Sequence, residues 1–450
     1  MQLEVIILAA GQGSRMQSQL PKVLHQLAGK PLVKQVIDAA QELKPSAIHL
    51  IIGHAGELVK QQLAAEQVNF VYQAEQLGTG HAVNQALASL QENSIVLILY
   101  GDVPLIQPAT LQQLLQQVSD NSLGLLTVNL ADPSGYGRIV KNNDQQITAI
   151  VEHKDASPEE LAISEVNTGI LATSREQLAR WLPQLSNQNA QGEYYLTDII
   201  ALAAEEGLSI NSVQPATVQE VEGVNTRSQL AALERHYQLE QAEALMAQGV
   251  TLADPNRLDI RGRVNCETDV SIDVGCVFSG TVEIVSGAEI GPYCVIHNSK
   301  IGAGVKLAAF THLDNVYLEG ENHVGPFARL RPYTQLGIGA KIGNFVETKK
   351  ATVEAGAKIN HLSYVGDAYV GEKTNIGAGT ITCNYDGTHK HVTQIGADAF
   401  IGSNTCLVAP VKVGDGAVIG AGSTITRDVE DQSLAVTRVK PKVIKHWKKS

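Results

Sequence analysis

The chain has 450 residues, of which 44% are hydrophobic and 18% charged, and its formal net charge is −12. This length predicts about two or three domains rather than one core. The acidic balance argues against general nucleic-acid binding, although a local group of Lys and Arg can still hold a small anion. The five cysteines form no C-x-x-C pair, so we expect neither a zinc site nor a disulfide framework.

The N-terminus, Met1-Gln-Leu-Glu-Val-Ile-Ile-Leu, has no basic stretch and no cleavage site of the kind found in signal peptides. The longest apolar runs are far shorter than the ~20 residues that span a bilayer. Scattered cysteines of this kind are usually buried thiols in a reducing compartment. We therefore expect a cytoplasmic protein that does not contact membranes.

Up to about residue 225, short apolar runs alternate with longer segments of mixed polarity. Near-continuous runs are typical of strands buried in a parallel sheet. The runs are Val5–Ala9, Ile48–Ile52, Ile95–Tyr100 and Gly124–Asn129, and the intervening segments with helical spacing include Pro31–Glu42 and Thr110–Val118. The alternation predicts a doubly wound α/β domain.

Residues Asn225 to Gln248 differ from both of their flanks. Leu230, Leu233 and Leu245 recur at roughly helical spacing, with charged residues between them and Gly249 as a stop signal. This pattern predicts one long helix that links two domains.

From about residue 251 an aliphatic side chain recurs every six positions, and this region holds 24 of the 40 glycines. The step is unbroken at Ile395, Ile401, Leu407, Val413, Ile419 and Ile425, and it is also present at Ile284, Ile290 and Ile296 and at Val353, Ile359 and Val365. A helix or a flat sheet cannot keep this period, which is the hexapeptide signature of a parallel β-helix. The alternative, a disordered glycine-rich tract, is disfavoured by the regularity.

The repeat is interrupted at Thr382–Thr393, which does not fit the six-residue step. We expect this segment to leave the coil as a loop. Loops on rigid scaffolds often carry function, but a tolerated insertion remains an alternative.

A glycine-rich loop, Ala10-Gly-Gln-Gly-Ser-Arg-Met16, follows the first predicted strand, and Lys22 comes shortly after it. Such a loop lets backbone N–H groups approach phosphates. It is not a dinucleotide fingerprint, because Met16 stands where Gly is needed, and it lacks the Gly-Lys-Ser/Thr of a Walker A loop. Arg15 and Lys22 can both neutralise a triphosphate, but the residues alone also allow a plain β–α turn.

Several motifs make the chain recognisable. They are Leu8-Ala-Ala-Gly-x-Gly-x-Arg-Met with Leu20-Pro-Lys22, Gln73-Ala-Glu-Gln-Leu-Gly78-Thr79-Gly-His, Leu99-Tyr100-Gly101-Asp102-Val-Pro, Gly135-Tyr-Gly137-Arg, Val151-Glu152-His-Lys, Asn167-Thr-Gly and Gly192-Glu-Tyr-Tyr-Leu-Thr-Asp198. The front half resembles sugar-nucleotide pyrophosphorylases. The whole chain resembles bifunctional bacterial N-acetylglucosamine-1-phosphate uridyltransferases and glucosamine-1-phosphate acetyltransferases. Ser14, where the family more often has Thr, is a small departure that keeps the hydroxyl.

The resemblance implies a Rossmann-like nucleotidyltransferase domain at residues 1–226, a linker helix at 227–248 and a left-handed β-helix acetyltransferase domain at 249–450. It implies that glucosamine 1-phosphate is acetylated by acetyl-CoA, and that N-acetylglucosamine 1-phosphate then takes uridylyl from UTP. The product, UDP-N-acetylglucosamine, serves peptidoglycan and lipopolysaccharide synthesis. The implied partners are these small molecules and two further copies of the chain in a homotrimer.

The resemblance also implies roles for residues of the front half. The nucleoside is held by Leu8, Ala9, Ala10, Gly11, Gln73, Gly78 and Thr79, and the same site includes Tyr100 and Gly101. Arg15 and Lys22 face the phosphates, Asp102 and Asn225 ligate Mg²⁺, and Gly137, Glu152 and Asn167 hold the sugar. On the residues alone, Asp102 has a helix N-cap as an alternative, although the end of a parallel strand is where α/β ligands bind, and Glu152 and Asn167 are uninformative.

Polar residues gather on the predicted β-helix, at Arg331, Glu347, Lys349, His361, Tyr364, Asn375, Asn384, Tyr385 and Lys390. Because a β-helix stacks its coils, residues one coil apart become neighbours. Arg and Lys suit a sugar phosphate, and His suits a general base near neutral pH. His361 can equally be an ordinary edge residue of the coil.

Here the resemblance makes His361 the base that deprotonates the attacking amine, with Glu347 orienting the site. It makes Arg331, Lys349, Tyr364, Asn375 and Lys390 the sugar-phosphate binders, with Lys390 reaching a neighbouring subunit. Asn384 and Tyr385 lie beside the acetyl group, and Ala378, Ser403, Ala421 and Arg438 contact coenzyme A. Asn360, where the family often has Gly, can change the loop before His361.

The tail from Arg438 to Ser450 holds six Lys or Arg and no acid. It is either a solvated terminus or a segment that contacts the phosphates of coenzyme A on the next subunit. Two other functions compete with the bifunctional enzyme: a single-activity pyrophosphorylase whose β-helix is structural or regulatory, and a non-enzymatic scaffold. The group around His361 disfavours the first, and the retained Arg15, Lys22 and Asp102 disfavour the second.

Overall fold

The structure is a computed structural model that describes residues 2–447. Lys448 and Lys449 of the basic tail lie outside the described residues. The chain forms two compact units, a front unit up to His236 and a rear unit from Tyr237 onward. Within residues 2–447, no helix combines the length and apolarity required to cross a membrane.

The front unit is built around a nine-stranded sheet. Its strands are β1 (Gln2–Leu8), β2 (Ala47–Ile52), β3 (Asn69–Tyr72), β4 (Ser94–Tyr100), β5 (Ser122–Asn129), β6 (Arg138–Lys141), β7 (Ile147–Val151), β8 (Glu165–Ser174) and β9 (Ser209–Val213). Four of them, β1, β2, β4 and β5, correspond to the four predicted apolar runs. The main path runs β9-β5-β8-β4-β1-β2-β3, with β6 and β7 attached through β8.

Not every strand of this sheet is parallel. Strands β4, β1, β2 and β3 pair in parallel, but β8 runs antiparallel to both β4 and β5, and β6 and β7 form an antiparallel hairpin. The prediction of a doubly wound α/β domain is confirmed, in that helices cover both faces of the sheet. The sequence did not indicate the reversed strand, because an apolar run in a buried sheet does not reveal its direction.

Helices pack on both faces of the sheet. They are α1 (Leu32–Glu42), α2 (Gly56–Gln62), α3 (Thr79–Ala86), α4 (Pro108–Leu115), α5 (Pro158–Leu161), α6 (Arg175–Trp181) and α7 (Ile199–Glu205). Alternate residues of β1 enter different cores: Val5 and Ile7 pack with α1 on one face, whereas Ile6 packs on the other. This alternation is the two-residue period of a strand covered on both sides.

A single helix, α8 (Arg227–Ala247), follows the front unit's sheet and runs past His236. The Thr226 hydroxyl accepts a hydrogen bond from the Gln229 backbone N–H at 3.2 Å, as an N-cap does. Gly249 follows the last turn with a φ of +92°, which suits a helix stop. The helix therefore begins and ends within two residues of the expected Asn225–Gln248.

The rear unit is a left-handed parallel β-helix. One sheet has eleven strands, at Thr251–Leu252, Ser271–Ile272, Glu289–Ile290, Lys306–Leu307, His323–Val324, Lys341–Asn344, Lys358–His361, Asn375–Ile376, Phe400–Ile401, Val418–Ile419 and Leu434–Ala435. The other has fifteen, at Leu258–Cys266, Cys276–Ile284, Val295–His297, Lys300–Ala303, His312–Asp314, Val316–Gly320, Arg329–Leu330, Thr334–Leu336, Glu347–Val353, Tyr364–Val370, Ile381–Cys383, Thr393–Ile395, Cys406–Val408, Val411–Val413 and Thr424–Ile425.

The six-residue period is explained by the core of this unit. The six aliphatic residues from Ile395 to Ile425 on the predicted step are at most 3% exposed, and all belong to one hydrophobic cluster. Each side of a coil thus buries one side chain at its centre, as expected from hexapeptide repeats. Register pairs such as Ile401 with Ile419 stack the same position of successive coils.

The predicted loop is also present, slightly shorter than expected. Strand Ile381–Cys383 ends before it and strand Thr393–Ile395 begins after it, while Tyr385 and Lys390 form an antiparallel bridge inside it. Asp386 accepts hydrogen bonds from the backbone N–H groups of Thr388 and His389 at 2.8 and 2.7 Å. The loop is therefore a folded hairpin rather than an unstructured insertion.

Candidate active sites

A cleft of about 790 Å³ opens at the carboxyl ends of the parallel strands of the front unit. Parallel α/β sheets usually bind ligands at this edge. The predicted residues that line it are Leu8, Ala9, Ala10, Gly11, Arg15, Lys22, Gln73, Gly78, Thr79, Tyr100, Asp102 and Asn225. The predicted residues Gly101, Gly137, Glu152 and Asn167 are not part of this lining.

The glycine-rich loop after β1 brings Lys22 to the cleft. Gly13 has a φ of +62°, and a Cβ atom at this position would stand 2.6 Å from the Cβ of Lys22. Only glycine combines this left-handed backbone with such a close approach. Gly11, by contrast, would place a Cβ in open space. The two glycines thus have different structural roles.

Lys22 joins the two residues predicted to bind a metal. Its ammonium makes a short ion pair with Asp102 and donates to the Asn225 side-chain oxygen at 3.0 Å. The Arg15 guanidinium donates to that same oxygen, also at 3.0 Å. The structure therefore brings together two cations, one carboxylate and one amide oxygen from positions up to 210 residues apart.

This donor set fits a magnesium ion. Asp102 and Asn225 present two hard oxygen atoms that converge on a single cation, the Lys22 ammonium. Mg²⁺ usually takes one or two protein oxygens and fills its other positions with water and phosphate. Among the described residues there is no group of three or more His, Cys, Asp or Glu side chains arranged for a metal.

Gln73 lies buried behind the cleft, and its amide is oriented by two neighbours. Its Nε2 donates to the Gly78 carbonyl at 3.3 Å and to the His81 Nδ1 at 3.0 Å. These contacts use the amide nitrogen, so the side-chain oxygen is the group of Gln73 that can accept a hydrogen bond from a ligand. His81 was quoted within the sequence motif, but its type gave no sign of this orienting contact.

The three predicted sugar residues form a group beside the cleft. The Asn167 backbone N–H donates to the Gly137 carbonyl at 2.9 Å, and a Cβ on Gly137 would lie 3.4 Å from the Glu152 carboxylate. Tyr136 and Thr168, the neighbours of Gly137 and Asn167, line the cleft. The group thus adjoins the cleft.

Glu152 stands in a partly buried, acidic environment. Burial raises the pKa of its carboxyl group, while the Thr197 hydroxyl, which donates to Oε1 at 3.1 Å, acts in the opposite direction. Burial also raises the pKa of Tyr100, and the negative charges of Glu152 and Asp102 contribute. Burial thus disfavours the ionised form of both groups relative to the same groups in water.

Further residues that line the cleft were not predicted as site residues. They are Gln12, Gly13, Ser14, Val23, Gln76, Ala82, Val103, Ser134, Gly135, Tyr136, Thr168, Glu193, Val221, Gly223 and Gln229. Many of them lie inside the recognised motifs, where the sequence shows the motif but not which side chains point inward.

On the β-helix, three cations meet in a group that we call the cationic cluster: Arg331, Lys349 and Lys390. The pKa of Lys349 is lowered, first because the Lys390 side chain lies beside it and also because of the charge of Arg331. Arg331 in turn makes an ion pair with Glu347 at 2.8 Å. Such an excess of positive charge in the open suits a phosphate group.

Glu347 and Tyr364 are register neighbours on successive coils, which places Tyr364 next to this cluster. The Asn384 amide donates to the Tyr364 hydroxyl at 3.5 Å and to the Asp367 carboxylate at 2.5 Å. The folded loop is therefore attached to the coil through Asn384. Asp367 was not predicted, since one more acidic residue on a coil carries no distinguishing signal.

His361 stands at the end of strand Lys358–His361 and is exposed. Its Nδ1 lies 3.0 Å from the side-chain oxygen of Asn344, the register partner on the preceding coil. Its carbonyl accepts from the Gly379 backbone N–H at 3.4 Å, so Ala378 follows it on the next coil. Asn360 has ordinary extended geometry within the strand and does not distort it.

The predicted coenzyme A residues form a column along one corner. Strand registers align Asn375, Phe400 and Val418, and hence Ala378, Ser403 and Ala421 three residues later. The Arg438 guanidinium donates to the Ala421 carbonyl at 2.8 Å. Asn375 lies on the eleven-stranded sheet, whereas Lys349 lies on the fifteen-stranded sheet. The Tyr385 hydroxyl donates to the Gly387 carbonyl within its own loop at 2.6 Å, and the Tyr385 backbone is bridged to Lys390.

In comparisons with known proteins, two different family models match the front and the rear of the chain. A family described as MobA-like NTP transferase domain matches residues 5–163, and one described as bacterial transferase hexapeptide, with six repeats, matches residues 393–427. The bifunctional protein GlmU of Cellvibrio japonicus is 56% identical over 447 residues, covering 99% of each chain.

The bifunctional protein GlmU of Pseudomonas putida GB-1 is 55% identical and covers 100% of this chain and 98% of its own. That of Stutzerimonas stutzeri is 56% identical and covers 100% and 99%. The chain belongs to the GlmU family. As a member of this bifunctional family it is an enzyme, with a nucleotidyltransferase fold in front and a hexapeptide transferase fold behind.

The Gly13→Ala variant of this GlmU-family chain tests the role of the loop. The added methyl group must displace Lys22, and a left-handed alanine costs about 1–2 kcal/mol in addition. We expect nucleotidyl transfer, measured as pyrophosphate release, to fall at least about tenfold. Acetyl transfer, measured as thiol release, should be unchanged. Gln19→Ala, an exposed neighbour, is the control, and equal pyrophosphate release in the two variants would contradict this account.

Proposed function

We propose that this chain makes UDP-N-acetylglucosamine in two steps. The rear unit acetylates glucosamine 1-phosphate with acetyl-CoA, and the front unit then transfers uridylyl from UTP to N-acetylglucosamine 1-phosphate, releasing pyrophosphate. The observation that carries the proposal is the presence of both residue groups, around Lys22 and around His361, in a chain similar along its whole length to bifunctional GlmU proteins.

In the uridylyl step, an oxygen of the sugar phosphate attacks the α-phosphorus of UTP in line, and pyrophosphate leaves. Two anions must approach each other, so the site has to spread negative charge. Arg15 and Lys22 contact the phosphates, and neither forms a covalent bond. Asp102 and Asn225 would hold Mg²⁺, which supplies further positive charge when it is bound.

The substrate groups then have defined places. The loop from Leu8 to Gly11, with Gln73, Gly78 and Thr79, holds the uracil and ribose. Tyr100 and Gly101 line the same edge of the sheet. Gly137, Glu152 and Asn167 hold the N-acetylglucosamine ring, whose hydroxyl groups can donate hydrogen bonds to the Glu152 carboxyl.

In the acetyl step, the amine nitrogen of glucosamine 1-phosphate attacks the thioester carbonyl of acetyl-CoA. His361 takes a proton from the amine, the C–S bond breaks, and the thiolate of coenzyme A receives a proton from the imidazolium. The Ala378 backbone N–H stabilises the negative charge that develops on the carbonyl oxygen. Asn384 and Tyr385 lie beside the acetyl group.

The cationic cluster holds the phosphate of the amino sugar, together with Tyr364 and Asn375, while Glu347 orients Arg331. Ala378, Ser403, Ala421 and Arg438 hold coenzyme A along their common corner. The basic tail that follows Arg438 offers further charge for its phosphates. The activities belong to residues 1–226 and 249–450, with residues 227–248 as the linking helix.

Two variants separate the activities. His361→Ala removes the base, so thiol release should fall at least about 100-fold while pyrophosphate release is unchanged. Asp102→Asn weakens the magnesium site, so pyrophosphate release should fall while thiol release is unchanged. Both products are followed for each variant with saturating substrates.

The reverse pattern, or loss of both activities in either variant, would contradict the residue assignments. If the unaltered chain releases pyrophosphate but no thiol, the competing function is correct, namely a pyrophosphorylase with a structural or regulatory β-helix.

The proposed assembly is a homotrimer with acetyltransferase sites between subunits, and the proposed location is the cytoplasm, which supplies UTP and acetyl-CoA. An exposed aromatic row supports association: Tyr293, Phe310, Phe327 and Phe345 stack with centroids 5.0 to 5.4 Å apart and are 44 to 57% exposed. Contiguous apolar surface of this kind usually contacts another protein.

Sedimentation equilibrium tests the assembly. We expect one species at about three times the 48.1 kDa chain mass. A stable monomer that still acetylates would contradict the proposed sites between subunits.

A further inference from the structure

The contact between His361 and Asn344 is fixed by the stacking of two coils. Asn344 ends strand Lys341–Asn344, His361 ends strand Lys358–His361, and the two residues are in register. The Asn344 backbone carbonyl also accepts a hydrogen bond from the Leu362 N–H at 3.1 Å. Asn344 is therefore connected to the segment that carries His361 through both its backbone and its side chain.

The close approach of these coils depends on the residue before Asn344. A Cβ atom on Gly343 would stand 1.9 Å from the Asn360 carbonyl oxygen. No side chain fits between them, so the backbone of one strand rests on the backbone of the next. This close contact between the two backbones fixes the spacing of the coils that carry the Asn344 amide and the His361 imidazole.

The atom that Asn344 presents decides which imidazole nitrogen carries a proton. Its side-chain oxygen lies 3.0 Å from Nδ1 of His361, and a carbonyl oxygen can only accept a hydrogen bond. For this contact to be a hydrogen bond, Nδ1 must carry the proton, and in the neutral ring the lone pair is then on Nε2. A general base needs a free lone pair directed at its substrate.

We propose that Asn344 is a positioning residue for acetyl transfer, one that holds His361 in the tautomer with a basic Nε2 and fixes the direction of the ring. The inference rests on the proposed role of His361 as the base. Asn344 itself does not touch the substrate. Neither the hexapeptide period nor the motifs that place His361 single out this residue.

The positions that stack directly on His361 carry no charge. In the adjacent coils the positions in line with it are Asn344 and Ala378, both uncharged. The charged residues closest in sequence to this pair are Lys341 and Glu347 on either side of Asn344, and Lys358 and Asp367 on either side of His361. A charge introduced at position 344 should therefore be the strongest new influence on the ring.

Two substitutions at position 344 test this role. Asn344→Asp keeps an acceptor oxygen and adds a negative charge, which favours the imidazolium. The acid limb of the kcat/KM profile for thiol release should therefore move by about one unit to higher pH, and the rate above that limb should remain within a few fold. Asn344→Leu removes the acceptor, so kcat should fall at least about tenfold, while both KM values stay within about threefold.

Asn360→Ala is the matched control, because the backbone of Asn360 rather than its side chain packs against Gly343; its kcat and pH profile should be unchanged. Pyrophosphate release and circular dichroism check that each variant is folded. If Asn344→Leu does not fold, the pH profile of Asn344→Asp still decides the question.

The outcomes distinguish this inference from the proposed function beneath it. If His361→Ala still acetylates, the base is wrongly assigned and the inference fails with it. If His361→Ala is inactive but Asn344→Asp leaves the acid limb in place, or Asn344→Leu keeps its kcat, the base stands and the role of Asn344 is overturned.

Discussion

Both candidate sites depend on parallel strand pairing in a fixed register. In the front unit, Leu8 pairs with Ile51 on one side and with Tyr100 on the other. The loops that follow these strands therefore start at one edge and meet there, although they are far apart in sequence. In the rear unit, the same kind of pairing brings residues 17 or 18 positions apart onto one another, as with Asn344 and His361. A slip of one residue would turn each side chain to the other face of its sheet.

Charge is the second common feature of the two sites. The substrates are phosphates, yet the chain has a net charge of −12, so its cations must be gathered locally. In the front cleft, Arg15 and Lys22 share the Asn225 oxygen, and Lys22 also pairs with Asp102. On the β-helix, Lys390 lies beside Lys349 and lowers the pKa of Lys349, while Asp367 acts in the opposite direction. An anionic ligand would relieve that repulsion.

Much of the fold is predictable from the sequence because it follows from periodicity. The six-residue step requires stacked coils, and the positions on it are the buried ones. The apolar runs locate β1, β2, β4 and β5 within three residues of their ends. The reversed direction of β8 is not predictable in this way, because strand direction depends on the path of the chain between strands rather than on the residues within them.

The sites show a similar limit. The motifs predicted that Arg15, Lys22 and Asp102 belong to one site, and all three line the cleft. The stacking of coils predicted that Arg331, Glu347 and Lys349 lie close together. Asn344 and Asp367 were not predicted, because what distinguishes them is the side chain that each contacts, His361 and Asn384 respectively. Such contacts require the register to be known residue by residue, and the hexapeptide step alone does not fix which outward-facing polar groups meet.

The most direct test of the central claim follows both products in one mixture of glucosamine 1-phosphate, acetyl-CoA, UTP and Mg²⁺. If one chain acetylates first and transfers uridylyl second, thiol should appear at once and pyrophosphate after a lag. Supplying N-acetylglucosamine 1-phosphate should abolish the lag. Pyrophosphate released from glucosamine 1-phosphate at the same rate without acetyl-CoA would contradict the account.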